Sequence, residues 1–275
     1  MFEAGALALF TGCYPDRPCL LDHGLVAHPL LSLPRLTVLA GSLPKMDVIY
    51  RSADLTADQY SETLDLENQA PAALVQGLGT SRTLLQLTDI GEEREYKALT
   101  MDILRPFRPL LKASGAPAIG AKTHIHLASP KAILPFHLET AHQLYLQVRG
   151  TSILSLHDGT DPDIVPGAAF EGAYARGEVG LPYQDDFADR AAAYELNEGT
   201  AVYLPPGSPY WLEHGPDISL GLSLRWQSRV SFELADCYQM HGRLRRFGWA
   251  QGPTKGGWAR RMKARAYGWM GSGKK

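Results

Sequence analysis

The chain has 275 residues, 45% of them hydrophobic and 20% charged, which suits one large globular domain with a sizeable core. Its 27 glycines and 19 prolines favour a turn-rich β or mixed fold and argue against a helical bundle. The net charge of -2 conceals a division: ten bases and no acid follow Gly242, leaving 17 bases against 29 acids in residues 1–242.

The first ten residues, MFEAGALALF, carry an acid where a secretory leader carries bases, and their apolar run is short. No run approaches the roughly 20 apolar residues of a membrane-spanning helix, so the expected location is the cytoplasm. Cys13, Cys19 and Cys237 form an odd set without metal-type spacing and read as reduced thiols. Ser32 is placed to cap a short helix, with Pro34 in its first turn and Gly41 near its end. KMDVIYR then reads as a strand, residues 54 to 80 as loop plus a short helix, and SRTLLQLTDI as a buried strand. A helix follows in GEEREYKALTMDILRPFRPLLKAS, with acids in its first turn, apolar Tyr96, Leu99 and Ile103, and a break near Pro106.

From about residue 120 the hydrophobic period changes from about 3.6 to 2. KTHIHLAS is a predicted strand, and QLYLQVRGTSILSLHDG a predicted hairpin with its bend near Arg149-Gly150. Residues 170 to 196 read as an irregular insertion with a helical part, and GTAVYLPPGSPYWLEHGPDISLGLSLRW as two or three further strands. The expected division is an N-terminal mixed α/β part over 1–119, a β-barrel core over 120–228 and a basic, aromatic, helical extension over 229–275.

The chemistry concentrates in LPFHLETAHQLYLQVRG. On a strand, His137 and Glu139 project to one face with Cα atoms roughly 6.5 to 7 Å apart. An imidazole and a carboxylate so placed suit Fe(II), Mn(II) or Zn(II), and a third ligand from a distant strand would complete a facial triad. Tyr210, Leu212 and His214 share a face of a later strand, with Tyr210 and His214 about 13 Å apart if it is regular, so one of them is the candidate third metal ligand: Tyr210 as a phenolate, or His214 with a shift in register. His124 and His126 also share a strand face, turned either into the barrel, as a rearranged metal or anion site, or outward.

The run FHLETAHQLYLQVRG, followed some 60 residues later by YLPPGSPYWLEHGPDISLGLSL, resembles the JmjC-type and cupin-like branch of the Fe(II)/2-oxoglutarate oxygenases. HPLLSLPRL and RLRRFGW extend the resemblance over most of the chain. It implies a mainly β fold with α elements: a double-stranded β-helix, or jelly roll, with N-terminal and C-terminal helices, in a homodimer. It also implies Fe(II) on His137 and Glu139, which match the H-x-D/E metal pair. Three positions depart from the family pattern. Tyr210 stands where the last histidine ligand is usual, Leu134 where a 2-oxoglutarate threonine is usual, and Ser152 where a lysine pairs with the cosubstrate carboxylate. A dicarboxylate inside a barrel needs a fixed cation or several donors, which Leu134 and Ser152 do not provide.

His142 reads as a surface or hairpin residue, and His157-Asp158-Gly159 as a turn. GLGTSRT lacks a phosphate-loop pattern. The tail interleaves bases with Phe247, Trp249, Trp258, Tyr267 and Trp269, which suits either an acidic external surface or the acidic body of the same molecule. No helix-turn-helix or zinc-finger signature supports sequence-specific DNA binding. Two functions follow. One is a metal-dependent hydroxylase acting on a peptide or protein side chain, with a diverged 2-oxoglutarate site. The other is a catalytically degenerate barrel that binds a peptide, protein or small-molecule ligand as a regulator.

Overall fold

The structure, a computed structural model, describes residues 1–53, 56–57, 69–176 and 179–246. The aromatic and basic residues of the tail from Phe247 onward lie outside the described residues. In chain order the elements are α1 (Ala4–Cys13), β1 (Cys19–Asp22), α2 (Leu33–Ser42), β2 (Val48–Ser52), α3 (Pro71–Gly77), β3 (Thr83–Leu87), α4 (Arg94–Leu104) and α5 (Arg108–Ala113). They continue with β4 (Ile119–Ala128), β5 (Ile133–Glu139), β6 (His142–Arg149), β7 (Ser152–Leu156), α6 (Gly167–Arg176), β8 (Val179–Gly180), β9 (Ala192–Leu196), β10 (Thr200–Leu204), β11 (Ser208–His214), β12 (Ser219–Gln227) and α7 (Arg229–Arg246). Ser32 is the residue before α2, as expected, although its hydroxyl donates back to the Pro29 carbonyl at 3.0 Å and leaves the helix amides uncapped. The predicted long helix is split into α4 and α5 at Pro106, where a proline ring cannot continue the ladder. Among the described residues no helix is long and apolar enough to cross a membrane.

Two antiparallel sheets face one another in a jelly roll. One has seven strands in the order β1-β10-β6-β12-β4-β3-β2, and the other five in the order β8-β5-β11-β7-β9. The barrel is closed by β10-β6-β12-β4 of the first against β5-β11-β7-β9 of the second. The N-terminal segment adds β1 to one edge of the large sheet and β3 and β2 to the other.

The expected hairpin over 142–156 does not form. β6 pairs with β10 and β12, whereas β7 pairs with β11 and β9, so the chain crosses from one sheet to the other between them. Gly150 makes the crossing at φ +71°, and a Cβ there would stand 2.8 Å from the Ile218 carbonyl oxygen. The Arg149-Gly150 signal was genuine, but a local pattern cannot distinguish a bend within a sheet from a step between sheets.

The period-2 pattern sorts the side chains. Leu144, Leu146 and Val148 of β6 and Leu220, Leu222 and Leu224 of β12 point away from the barrel into the main core, which α1, α2, α4 and α5 cover. His142 shares that outer face. It is fully buried, correcting the expectation of a surface role: Nδ1 lies 2.7 Å from the Tyr203 hydroxyl and Nε2 2.7 Å from Ser228 Oγ. Its ring stacks on Trp226 at 5.6 Å, and the Tyr203 hydroxyl donates on to the Pro15 carbonyl at 3.0 Å. This polar chain joins the N-terminal loop, two barrel strands and the start of α7. Phe10 of α1 packs beside it, edge-on to Phe107 at 4.8 Å and to Tyr203 at 5.2 Å.

Phe10 is wholly buried between α1, the end of α4 and β10, so Phe10→Ala should cost about 3–5 kcal/mol of stability. Urea unfolding of the two proteins checks this, and a difference below about 1 kcal/mol would mean that α1 does not pack on the barrel.

Candidate functional site

The barrel interior is lined by the inward faces of both sheets. β5 contributes His137 and Glu139, which are 1% and 3% exposed. Tyr210 of β11 stands opposite His137, and Leu212 opposite Leu134, so between them one residue of β11, Trp211, faces two of β5, Pro135 and Phe136. This bulge turns both Leu134 and His137 inward although they are three apart, while Phe136 and Leu138 pack outward against α6. His137 Nδ1 lies 2.8 Å from the Pro135 carbonyl oxygen. A carbonyl only accepts, so Nδ1 carries the proton and Nε2 is the lone-pair nitrogen.

Glu139 faces Arg225 of β12, with Nη1 3.2 Å from Oε1. The pair spans the two sheets at one end of the barrel. Arg225 also stands opposite Gln143 of β6. The Gln143 amide nitrogen donates to the Tyr210 hydroxyl at 3.1 Å, and the Tyr210 ring meets His137 edge-on at 4.3 Å. His137, Glu139 and Tyr210 therefore come together, joined by Gln143 and Arg225, which the sequence reading missed. The available signal for Arg225 was a lone base in the apolar alternation LSLRWQ, in phase with Ser223.

His214 lies elsewhere. It pairs across β7 with Ser152, whose Oγ is 2.9 Å from His214 Nδ1 and donates to Gln147 Oε1 at 3.2 Å. Complete burial lowers its pKa to about 3, so it is neutral at ordinary pH. His124 and His126 share one face of β4, opposite Ser223 and Gly221 of β12. His126 Nε2 lies 2.7 Å from Ser223 Oγ and lines the interior. His124 is buried, and its Nδ1 accepts the Asp89 amide at 3.4 Å. Among the described residues no three His, Cys, Asp or Glu side chains are grouped to hold a metal ion.

The interior is nearly full. Among the described residues a cavity of about 30 Å³ is walled by Leu134, His126, Tyr145, Tyr210, Leu212 and His214, with Arg51 of β2 adding a cation to its lining. Tyr145 lies over Gly221, where any side chain would run into its phenol. Its hydroxyl is buried without a hydrogen-bond partner among the described residues, and burial raises its pKa. Outside the mouth, by contrast, is a groove of about 750 Å³. Ser208, which pairs with Glu139, and Leu156, which pairs with Tyr210, are in its floor. Its walls carry Asp16, Asp158, Tyr194 and the stacked pair Phe170 and Tyr238, 4.4 Å apart. Arg190 also lines the groove but is paired with Asp161. His157, expected in an exposed turn, is buried against Phe136 at 4.9 Å. Burial first, then the Arg190 charge, lowers its pKa.

No protein-family model matches the chain, and no curated protein matches it. Solved structures do. The chain superposes on YcfD of Escherichia coli with a TM-score of 0.58 at 16% identity, over 100% of this chain and 69% of that one. YcfD is described as a ribosomal oxygenase, and its complex with cobalt and succinic acid matches with a TM-score of 0.54 at 16% identity, over 96% of this chain and 66% of that one. Its complex with cobalt and 2-oxoglutarate gives 0.52 at 16% identity, again over 96% and 66%. The chain thus spans about two thirds of the length of these structures and has the JmjC-type oxygenase fold.

An unfolded histidine protonates near pH 6.5, whereas folded His214 resists protonation down to about pH 3. The unfolded state therefore binds the extra proton, and stability falls as pH drops from about 6.5 towards 3. His157 and His23, also lowered chiefly by burial, act in the same sense. Urea unfolding at several pH values should show this slope, and His214→Gln should flatten it by about 1.4 kcal/mol per pH unit. An unchanged slope would mean that His214 is already protonated in the fold.

Proposed function

We propose that the protein is a binding barrel of the oxygenase fold that recognises a basic peptide or protein segment in the groove at its mouth. The contrast in volume carries this reading: about 30 Å³ inside against about 750 Å³ outside. The interior has room for one or two waters, well below the ~300–1,000 Å³ of small-molecule sites, whereas the groove falls within that range. The residues do not fit 2-oxoglutarate. Tyr145, Tyr210 and Leu134 fill the space, and Ser152 offers only a hydroxyl already engaged with Gln147 and neutral His214.

A basic partner suits the groove because the exposed acids Asp16 and Asp158 line it, while its Arg190 is paired with Asp161. The likeness to a structure described as a ribosomal oxygenase supports the ribosome as the source of that partner. In this reading the chain is a cytoplasmic homodimer divided at 1–119, 120–228 and 229–275, with its basic tail meeting an acidic surface.

A second reading, the protein-side-chain hydroxylase, is favoured by one observation. His137 turns the lone-pair side of its ring inward beside Glu139, the two positions that would hold Fe(II). There Fe(II) would supply oxygen activation. Tyr210 would have to be the nearest further donor, since His214 is bonded at the other end of β11.

Titration of the protein with overlapping peptides from ribosomal proteins, followed by fluorescence, separates the two. Basic peptides should bind, and Asp16→Lys with Asp158→Lys should weaken them by about tenfold or more. Added 2-oxoglutarate should change nothing. Quenching by 2-oxoglutarate only with Fe(II), together with a peptide that gains one oxygen, would establish the hydroxylase instead.

A further inference from the structure

We infer that the Arg225 guanidinium is the resident cation of the barrel centre and occupies the role that a metal ion has in the oxygenase fold. The starting point is Glu139. Its side chain is 5% exposed, and a carboxylate so buried stays ionised only beside a cation and donors. Arg225 is that cation, with Nη1 3.2 Å from Oε1 and its own side chain 17% exposed.

The surrounding links use the same space. Gln143 stands opposite Arg225 in the register and binds the Tyr210 hydroxyl at 3.1 Å, and Tyr210 closes edge-on over His137 at 4.3 Å. The carboxylate and the residue at the third-ligand position are therefore each engaged by the protein itself. Among the described residues no third His, Cys, Asp or Glu joins His137 and Glu139. A dication brought to Glu139 would meet a guanidinium carrying like charge, which disfavours both. Glu139 lies on β5 of one sheet and Arg225 on β12 of the other. The ion pair thus ties the two sheets at the mouth, whereas an ion held by β5 and β11 would join strands of one sheet. Tyr210 and Arg225 belong together in this account: a tyrosine in place of a histidine ligand, and a fixed cation in place of the ion.

This inference deepens the non-catalytic reading of the centre, but its test is separate. Peptide binding in the groove is measured on its own, whatever cobalt does. The tag-free protein is titrated with Co(II), read by visible absorption and by metal per chain after desalting, beside Glu139→Gln, Arg225→Met and the double variant Arg225→Met with Tyr210→His. The wild type should take up no cobalt, and neither Co(II) nor a chelator should move its Tm. The double variant, which frees the carboxylate and supplies an imidazole, should take up one equivalent, and a triple variant that also carries Glu139→Gln should lose it. Glu139→Gln alone should lower the Tm by about 10 °C, because it removes the carboxylate charge that faces a largely buried guanidinium.

A wild-type protein that binds one equivalent of cobalt, with a raised Tm that Glu139→Gln abolishes, would overturn the inference. So would a folded double variant that binds none. Should the double variant fail to fold, the wild-type Tm with and without Co(II) decides between the same two outcomes.

Discussion

A carboxylate buried inside a barrel must have a counter-charge, and most of what distinguishes this site follows from how that need is met. Glu139 is placed inward by the pleat of β5, and Arg225 reaches it from the opposite sheet. Removing either partner would take away the charge that faces the other in a poorly solvated place, which is more costly than the pair is stabilising. The pair therefore fixes how β5 and β12 approach each other. It also sets where Gln143 and Tyr210 can lie beside them.

The second constraint is the bulge on β5. A regular strand would turn Leu134 and His137 to opposite faces. The extra residue brings both inward, and Pro135, which has no amide proton to give to a ladder, supplies the carbonyl that fixes the tautomer of His137. The imidazole is thus held with Nδ1 against the Pro135 carbonyl, while Leu134 and Tyr145 line the small interior cavity.

The consequence is a fold whose open space lies outside the barrel. The interior is packed like a core, with Tyr145 laid over Gly221 and a residual cavity of about 30 Å³. The groove at the mouth is built from the β10–β11 turn, the end of β7, α6, α7 and the N-terminal loop, elements far apart in the chain. Loops carried on a rigid barrel are where binding residues concentrate in such architectures.

Much of this was legible in the sequence because it is local. The change of period near residue 120, the break at Pro106 and the shared face of His137 and Glu139 each depend on residue type and spacing alone, whereas the singling out of Leu134, Ser152 and Tyr210 came from the resemblance. The jelly roll came from resemblance and was borne out by the paired sheets. What only the tertiary structure decided depends on strands far apart in the chain. The bend at Gly150 became a crossing between sheets because the partners of β6 and β7 are supplied from elsewhere. His142 became a core residue because α1 and α7 cover the outer face of β6. Gln143 meets Tyr210 across 67 residues, and Arg225 meets Glu139 across the barrel. No periodicity encodes which inward side chains of two facing sheets will touch, since that is set by bulges, register and the closure of the barrel.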